Sequence, residues 1–518
     1  MKILSLRQAL IATLLVVVSA IARTAMGQGV TTGAVGGSVT DSLGNAVNDV
    51  QIRITNKATG FVAGGITRDN GRFFVQGLEV GGPYEIVARR IGFAPQTRDN
   101  LFVALSQTLR VDFKLTQQVA RVAGVRILAQ TGTEVFTPTN TGVKTVVSDT
   151  TLLRIPSLTR NLADYVRLTP QVSQTGPGNS AGGMSNRMNN VQIDGASERD
   201  VFGLGSTGQP GAEVNSKSVS IDAVKEFQVL LAPYDVRQGN FGGLLLNAVT
   251  KSGTNQTHGT AFYFYRNEKF GADTSVLRAT PFDRTQYGFT IGGPIIKDRL
   301  HYFIAPEFQT ENSPVTGPYF GQPAGQTPLF PITDADRQRF ESIMARLGET
   351  ELGTSGAKNI PNPLSNLFGR LDYRINDVHR LVFRYNYSKG ERLRQQNGRG
   401  STAAVYSSNF HDFTNVKNAP VLQLFSNFKG GSSNELFVSY NNWYNRRNPE
   451  STFPQIRINQ IVGPNGNASI LAGADQFSQG NELDTETWEL TDNYTFRPMG
   501  KHTITVGTRN EYVKLRNL

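Results

Sequence analysis

The chain has 518 residues, with 53 Gly, 30 Phe, 16 Tyr and no Cys, and its formal net charge is +11. The absence of cysteine excludes a disulfide framework and a thiolate metal site. The 52 Lys and Arg residues are scattered and form no basic block, which argues against nucleic acid as a partner. Abundant Gly and aromatic residues are typical of a mostly β protein.

Residues 1–27 have the pattern of a secretory signal peptide. The parts of this pattern are the basic residues Lys2 and Arg7, the apolar segment 9–22, and the small residues Ala25 and Gly27 ahead of a cleavage site. The apolar segment is short for a spanning helix, although an N-terminal anchor helix is the alternative. We therefore expect export, and we leave these residues out of the predicted fold.

Residues 30–116 are predicted to form a small β-sandwich. Val50, Ile52 and Ile54 alternate with polar neighbours, as in a half-buried strand. The sequences Asp69-Asn70-Gly71 and Gly81-Gly82-Pro83 are turn signals that precede further strands. Strands and turns at this spacing indicate a sandwich.

Three segments of this unit, GSVTDSLGNAV, TRDNGRFFVQGL and YEIVARRIGFAP, resemble the carboxypeptidase regulatory-like domain, a transthyretin-like sandwich. The resemblance implies no peptidase. A zinc hydrolase needs clustered ligands, whereas the five His are far apart and no His-x-x-Glu pair is present. The domain is expected to act as a spacer, a docking module or a carbohydrate-binding module.

Residues 117–148 are predicted to be a linker with one short Val/Ile-rich run, RVAGVRILAQ, at 121–130. An extended peptide of this kind can add as a strand to the sheet edge of a partner protein. The alternative is a last strand of the sandwich, and the residues alone leave both open.

Residues 149–254 are predicted to form an α+β unit. Thr159 is the expected helix cap, Leu162 and Tyr165 fall at helical spacing, and Pro170 ends the helix. The strand 191–196 is expected to end in an Asp194-Gly195 turn. A strand at 228–231 follows, and a glycine-rich loop then precedes the strand 244–250; its glycines are Gly239, Gly242 and Gly243.

Residues 257–518 show about nine alternating segments, the pattern of an outer-membrane β-barrel. They are predicted at 258–267, 284–296, 300–311, 364–375, 379–390, 416–428, 433–446, 482–496 and 501–516. Short and long connections alternate between them, as periplasmic turns and outer loops do in such barrels. The long connection 312–363 contains a predicted helix with Thr333 as its cap and an apolar face; that face consists of Phe340, Ile343, Met344 and Leu347.

The two faces of these strands can be assigned from the free-energy cost of placing a charged side chain in lipid. An Arg turned to lipid near the bilayer midplane costs about 2–4 kcal/mol, so the aromatic face must point outward. The residues predicted to face lipid in the strand 379–390 are Leu381, Phe383, Tyr385 and Tyr387. The residues predicted to face the lumen are Arg380, Arg384 and Asn386, with Arg509 and Glu511 in the last strand.

The segments NNVQIDGA, IDAVKEFQVL and YDVRQGNFGGLLLNAVTKSGTN, followed by an aromatic strand, resemble the plug of a TonB-dependent outer-membrane receptor, and QYGFTIGGPIIKDRLHYFIAPEFQTE fits the Oar-like type. The resemblance implies active import of an extracellular ligand through the outer membrane, driven by TonB and its inner-membrane motor proteins, with no cofactor and no catalytic group. It also implies a peptide that TonB pulls. The predicted peptide is Val122, Ala123, Gly124, Val125, Arg126 and Ile127. Siderophore, peptide and oligosaccharide remain open as substrates, and no ligand-binding residue can be named.

The expected fold class is therefore mostly β: a sandwich, an α+β plug and a partial, unclosed barrel of about nine strands. Receptors of this family close with 22 strands, so we expect the sequence to be a fragment of a longer chain. A surface adhesin is the alternative function, and it predicts a second sandwich or a helical stalk in place of the plug. A sugar-processing enzyme would need two convergent carboxylates, and the spacing singles out none.

Overall fold

The computed structural model describes residues 31–117, 125–128, 143–155, 157, 159–173, 179–203, 208–233, 235–270, 282–395, 398–428, 431–496 and 502–518. The predicted signal peptide lies outside these residues. None of the helices in this part of the chain combines the length and the apolar character needed to cross a bilayer.

The first unit is a sandwich of two sheets. Its strands are β1 (Gly33–Thr40), β2 (Gln51–Asn56), β3 (Val62–Ile66), β4 (Arg72–Leu78), β5 (Gly81–Arg89), β6 (Gln96–Val103), β7 (Thr108–Arg110), β8 (Phe113–Lys114) and β9 (Val125–Leu128). One sheet has the order β4-β1-β7, with β8 also on β1, and the other has the order β3-β2-β5-β6-β9. Alternate apolar side chains of both sheets fill the core; Val35, Ile52, Ile54, Tyr84 and Ile86 are among them.

The tight turn predicted at Asp69-Asn70-Gly71 is present, and the Gly71 N–H donates to the Arg68 carbonyl over 2.7 Å. Its flanking strands nevertheless do not form a ladder with each other, because β3 pairs with β2 and β4 pairs with β1. The turn therefore carries the chain from one sheet to the other, which places the apolar faces of both strands on the shared core.

The second unit is a mixed five-stranded sheet with short helices, as the plug prediction requires. Its elements are β10 (Val143–Ser148), α1 (Asp149–Arg154), α2 (Leu162–Tyr165), β11 (Val172–Ser173), β12 (Ser180–Ala181), β13 (Asn190–Ile193), β14 (Ala196–Ser197), β15 (Val224–Ala232) and β16 (Leu245–Thr250). The sheet order is β10-β15-β16-β13-β14, with β13 and β16 parallel. A sheet of this kind is neither the second sandwich nor the helical stalk that an adhesin predicts.

Two details of the plug differ from the prediction. The sheet starts at Val143, within the expected linker, because β10 pairs antiparallel with β15 along its length. The helix cap is Asn161, whose side chain accepts from the Ala163 N–H, whereas the Thr159 hydroxyl donates to Asp164 instead. Asn161 stands directly before the first helical residue, and this is the position from which a side chain reaches the free N–H groups.

The third unit is one long, curved antiparallel sheet. Its strands are β17 (His258–Asn267), β18 (Asp283–Ile296), β19 (Leu300–Pro314), β20 (Asn359–Pro361), β21 (Leu364–Arg374), β22 (His379–Gln395), β24 (Phe410–Asn427), β25 (Ser433–Pro449), β28 (Glu482–Phe496) and β29 (Ile504–Asn517). The nine long strands pair in chain order from β17 to β29, and β20 pairs with β19. Among the described residues β17 and β29 do not pair with each other, so the sheet is an unclosed barrel wall, as predicted.

The long connections fold together into an outer layer, which we call the cap. It consists of α3 (Asp334–Arg346) and a three-stranded sheet of β23 (Ala403–Val405), β27 (Gly466–Ala472) and β26 (Ile456–Gly463). Thr333 caps α3 as predicted, accepting from the Asp336 N–H over 3.1 Å. Phe340 and Met344 are buried in the cap core, but Leu347 is 70% exposed because it lies beyond the last turn of the helix.

Candidate functional site

The plug packs against the inner face of the curved sheet, and several of the predicted site residues lie at this contact. Phe303, Ala305 and Phe368 of the wall join the apolar core of the plug. Phe383 and Tyr385 are exposed on the outer face of the wall, while Arg384 and Asn386 are fully buried on the inner face. The strands thus have an aromatic exterior and a polar interior, with the plug covering the interior.

The Asp194-Gly195 turn lies at the centre of this contact. Both residues have left-handed backbone, with φ of 47° and 83°, which glycine and aspartate tolerate better than most residues. The Asp194 carboxylate accepts from the Thr250 N–H over 2.8 Å and from the Thr250 hydroxyl over 2.7 Å. The Arg384 Nε of the wall lies 3.2 Å from the same carboxylate. A turn predicted from local chemistry is therefore also the plug's anchor on the barrel wall.

A second cluster of charges lies beside this anchor at the short-turn end of the sheet. Arg370 and Asp372 of β21 form an ion pair at 2.8 Å, and Arg380 of β22 lies 3.4 Å from Asp372. Glu79, from the sandwich, approaches Arg380 at 3.0 Å and Arg370 at 3.4 Å. All of these side chains are nearly inaccessible to water, so each charge depends on the others for compensation.

Two more buried ion pairs fix the plug further along the strands. Lys417 of β24 lies 2.9 Å from Glu198 of the plug, and both side chains are essentially inaccessible. Lys217 of the plug is paired with Glu307 of β19, which also accepts from the Ser220 hydroxyl over 2.5 Å. Burial lowers the pKa of Lys217, although Glu307 opposes this effect.

Of the other predicted lumen residues, Asn386 and Glu511 contact the plug directly, and Arg509 is linked to it through Glu489. The Asn386 amide donates to the Ser218 carbonyl, and Glu511 accepts from Asn240 over 2.5 Å. Arg509 is paired with Glu489 at 2.5 Å, and Glu489 accepts from the Ser197 N–H. Lumen-facing polar residues therefore make up much of the wall's contact surface for the plug.

Aromatic residues occupy both faces of the opening strand β17. Arg160 of the plug stacks over the Phe262 and Phe264 rings, with its guanidinium carbon 4.4 and 4.8 Å from the ring centroids. Tyr263 is 67% exposed on the opposite face. One aromatic face thus contacts the plug and the other is turned outward.

The glycine-rich loop makes a close backbone contact within the plug. The N–H groups of Gly242 and Gly243 donate to the Met188 carbonyl over 2.8 and 3.2 Å. A Cβ atom on Gly243 would overlap the Asn189 side chain, whereas one on Gly239 would meet nothing. Close approach therefore accounts for Gly243, and Gly239 has no such constraint.

The predicted pulled peptide is described in part. Val122, Ala123 and Gly124 lie outside the described residues, while Val125, Arg126 and Ile127 belong to β9. This strand pairs in parallel with β6 at the edge of the sandwich sheet. The described part of the run therefore adds to a sheet of its own chain, as the alternative prediction of a last sandwich strand expects.

A cavity of about 510 Å³ opens at the outer ends of β17, β19 and β22, where the long connections begin. Arg266, Arg392 and Arg394 line it together with Glu311. Glu311 is engaged by Arg284 at 3.6 Å, and none of the three lining arginines forms a salt bridge with a described carboxylate. The cavity therefore has more lining arginines than carboxylates, and this excess of positive charge would stabilise an anion.

Glu213 lies at the plug apex near these arginines, and the charge of Arg394 affects the pKa of its carboxyl. Burial raises the pKa of the Glu213 carboxyl and Asp200 adds to the effect, while Arg394 and Arg447 oppose it. In the part of the chain that the structure describes, no three His, Asp or Glu side chains are arranged to hold a metal ion.

Sequence reasoning missed the buried partners Glu79, Glu198, Lys217, Glu307 and Lys417. Two of them could have been predicted to face the lumen, since Glu307 and Lys417 occupy inward positions in strands whose alternation of apolar and polar residues was recognised. The plug and sandwich residues that face them come from loops and short elements, where no periodicity assigns a direction.

Comparison with known domain families identifies two parts of the chain. Residues 34–116 match the carboxypeptidase regulatory-like domain, and residues 249–325 match an outer membrane beta barrel domain. These two domains confirm the expected fold class and an outer-membrane location.

Two curated relatives are similar over longer stretches. The TonB-dependent transporter Oar of Myxococcus xanthus is 26% identical over 250 residues, which are 44% of this chain and 22% of Oar. The probable TonB-dependent siderophore receptor PirA of Acinetobacter baumannii is 25% identical over 328 residues, 59% of this chain and 38% of PirA. The matched stretches thus amount to well under half the length of either relative. Both relatives are described as transporters or receptors and not as enzymes.

Two solved structures are matched over about half of their own length. The outer membrane transporter YddB from Escherichia coli superposes with a TM-score of 0.49 at 11% identity, covering 71% of this chain and 48% of YddB. The siderophore receptor PirA superposes with a TM-score of 0.45 at 18% identity, covering 71% of this chain and 47% of that structure.

Proposed function

Because this chain is a homologue of the TonB-dependent outer-membrane transporters, we propose that it serves in active import across the outer membrane, energised by an inner-membrane TonB complex. The observation that supports this proposal is a plug held against the barrel wall by buried ion pairs and hydrogen bonds. When such a plug shifts, water can solvate the separated polar groups, whereas separation of an apolar contact would expose apolar surface to water. The contact is therefore specific at rest and can open under force.

We propose residues 122–127 as the segment that TonB engages. The segment stands between the sandwich and the plug in the chain, so a pull on it loads both. Its second half already has the extended conformation that strand addition to a partner requires.

Deletion of 122–127 tests this assignment. We expect the variant to insert into the outer membrane normally but to lose binding of the periplasmic domain of TonB, measured by calorimetry, and to lose energised uptake. Deletion of six residues at 133–138, in the same linker, is the control and should change neither. Full TonB binding and full uptake after deletion of 122–127 would remove the assignment.

For the cargo we propose an anion, bound in the arginine-lined cavity. Support comes from Arg266, Arg392 and Arg394, whose guanidinium groups line the cavity and form no salt bridge with a described carboxylate. Guanidinium groups bind carboxylates and phosphates in a bidentate manner, so one cavity can hold a multiply charged ligand through two or three arginines.

Binding of small probes tests the charge preference. The full chain in detergent is titrated with citrate, inorganic pyrophosphate and the neutral sugar maltotriose. We expect binding of the two anions only, and a loss of about tenfold or more in the double variant Arg392→Gln/Arg394→Gln. Arg457→Gln, on the cap strand β26, is the control and should bind like the unmodified protein. Equal anion binding by the double variant, or binding of maltotriose alone, would contradict an anionic cargo.

A further inference from the structure

We infer that the sandwich has a function of its own: it clasps the plug by sharing the buried charges through which the plug is held to the barrel wall, and it must release them before the plug can move. The need for release rests on the proposed transport, but the clasp itself is a property of the resting fold. The relevant face of the sandwich comprises the β4–β5 turn with Glu79, the 56–60 turn and the 104–107 turn.

The shared charges provide the first argument. Glu79 of the sandwich lies 3.0 Å from Arg380 and 3.4 Å from Arg370. Arg370 also lies 4.0 Å from Asp194, the plug's anchor, and 2.8 Å from Asp372. The sandwich and the plug therefore use the same guanidinium group on the wall. Removal of the Glu79 charge leaves the buried Arg370 and Arg380 with less compensating negative charge. Because Arg370 also contacts Asp194, the contact between plug and wall is destabilised as well.

Arg370 links the two units through hydrogen bonds too. Its guanidinium donates to the carbonyl and the hydroxyl of Thr250, each over 3.1 Å. Thr250 in turn donates to Asp194. The path from Glu79 to the Asp194 turn thus runs through one arginine and one threonine.

Direct contacts between the sandwich and the plug sheet provide the second argument. The Leu105 N–H donates to the Glu226 carboxylate over 3.0 Å, and the Gln228 amide donates to the Ser106 hydroxyl over 3.2 Å. Both Glu226 and Gln228 belong to β15, which lies between β10 and β16 in the plug sheet. The sandwich therefore restrains the strand through which β10 is attached to the plug.

Contacts with the turn-side ends of two wall strands and with the segment before β17 complete the clasp. The Thr31 hydroxyl donates to Glu435 over 2.9 Å, Arg374 donates to the Gly60 carbonyl over 2.6 Å, and the Asn255 N–H donates to the Ala58 carbonyl over 2.7 Å. These contacts are polar, and a cavity of about 260 Å³ with mostly polar lining separates the three units. A polar, partly open junction can separate and re-form without exposing a large apolar surface.

Chain order connects the clasp to the pulled segment. The linker leaves the sandwich after β8, adds β9 to the edge of β6, and enters the plug at β10. Tension on residues 122–127 therefore acts on the sandwich at one end and on β10 at the other. The geometry points to an order of events in which β9 and the sandwich detach first and the plug follows.

Native-state hydrogen exchange of the full chain in detergent tests the clasp without TonB or cargo. In Glu79→Gln we expect the plug amides at 190–193 and 245–250 to exchange about tenfold faster or more, the change expected when a charge-assisted hydrogen bond is lost. The amides of β5 in the sandwich core should not change. Glu85→Gln is the matched control, since Glu85 pairs with Lys57 within the sandwich and should leave the plug unaffected.

A reversible cross-link tests the same inference in the opposite direction. The chain has no Cys, so cysteines placed at Gln76 and Ser433, whose side chains are hydrogen-bonded, form the sole thiol pair. A short, reducible bis-thiol reagent that joins them should slow exchange of the plug amides, and reduction should restore the original rate. A cysteine pair at Thr495 and Thr505, neighbours across β28 and β29, should have no such effect.

The outcomes separate the clasp from the proposed transport. Unchanged plug exchange in Glu79→Gln, together with equal exchange before and after reduction of the 76–433 cross-link, would overturn the clasp and leave import intact. If the exchange results hold but energised uptake is absent, the clasp stands and the transport proposal falls.

Discussion

Asp194 illustrates how one residue serves both local and long-range structure. Its place in a turn could be predicted from the Asp-Gly sequence, since both residues accept left-handed backbone. Its ion pair with Arg384 could not be predicted, because Arg384 lies 190 positions away and meets Asp194 only when the plug packs on the wall. Alternation assigned Arg384 to the lumen face correctly, but it could not specify which plug residue compensates its charge.

We expect Asp194→Asn to destabilise the protein by about 3–5 kcal/mol, because it leaves the fully buried Arg384 without its closest carboxylate. Asparagine keeps the side-chain size and tolerates the backbone conformation, so the loss reports on charge. Urea unfolding of the protein in lipid vesicles measures it. Asp377→Asn, whose ion pair with Arg374 is exposed, should cost less than about 1 kcal/mol. A similar small loss for Asp194→Asn would show that the pair is not a stability determinant.

The strands show where periodicity works as a guide and where it fails. All nine long strands were predicted in position, because a wall with lipid on one side and polar groups on the other imposes strict alternation. Their outer ends were underestimated: β22 continues to Gln395 and β24 begins at Phe410. Beyond the bilayer both faces of a strand meet polar surroundings or the cap, so the alternation that marks a membrane strand disappears there.

A charged substitution at one outward position tests which face of the strands is turned to lipid. We expect Phe383→Arg to reduce the free energy of folding into lipid vesicles by about 2–4 kcal/mol, since the side chain points to the hydrocarbon region. Thr414→Arg, on the outward face near the outer end of β24, should cost at most about 1 kcal/mol. Equal costs at the two positions would mean that Phe383 does not face the hydrocarbon region.

At the scale of the whole molecule, three connections that are far apart in the chain form one cap. The sequence predicted their lengths and the helix at 334–346, but not their assembly. Phe340 from the first connection packs with Tyr406 from the second, with ring centroids 5.4 Å apart, and with Ile470 from the third in the same core. The core of the cap is therefore built from side chains of all three connections.

We expect Phe340→Ala to open the cap as a unit. Loss of this buried ring should cost about 3–5 kcal/mol, and hydrogen exchange should rise together in α3, β26 and β27 but not in β21 or β25. Leu347→Ala, at an exposed position next to the same helix, is the control and should leave exchange unchanged. Faster exchange confined to α3 would show that the connections fold independently.

Assembly of the cap from three connections has a consequence for recognition from outside the cell. Any protein that binds this surface, whether an antibody, a phage tail protein or a toxin, meets a discontinuous epitope whose first and last parts lie more than a hundred residues apart in the chain. A synthetic peptide copied from one connection would lack the neighbours that shape it. Antisera raised against such peptides should therefore recognise denatured protein and miss intact cells.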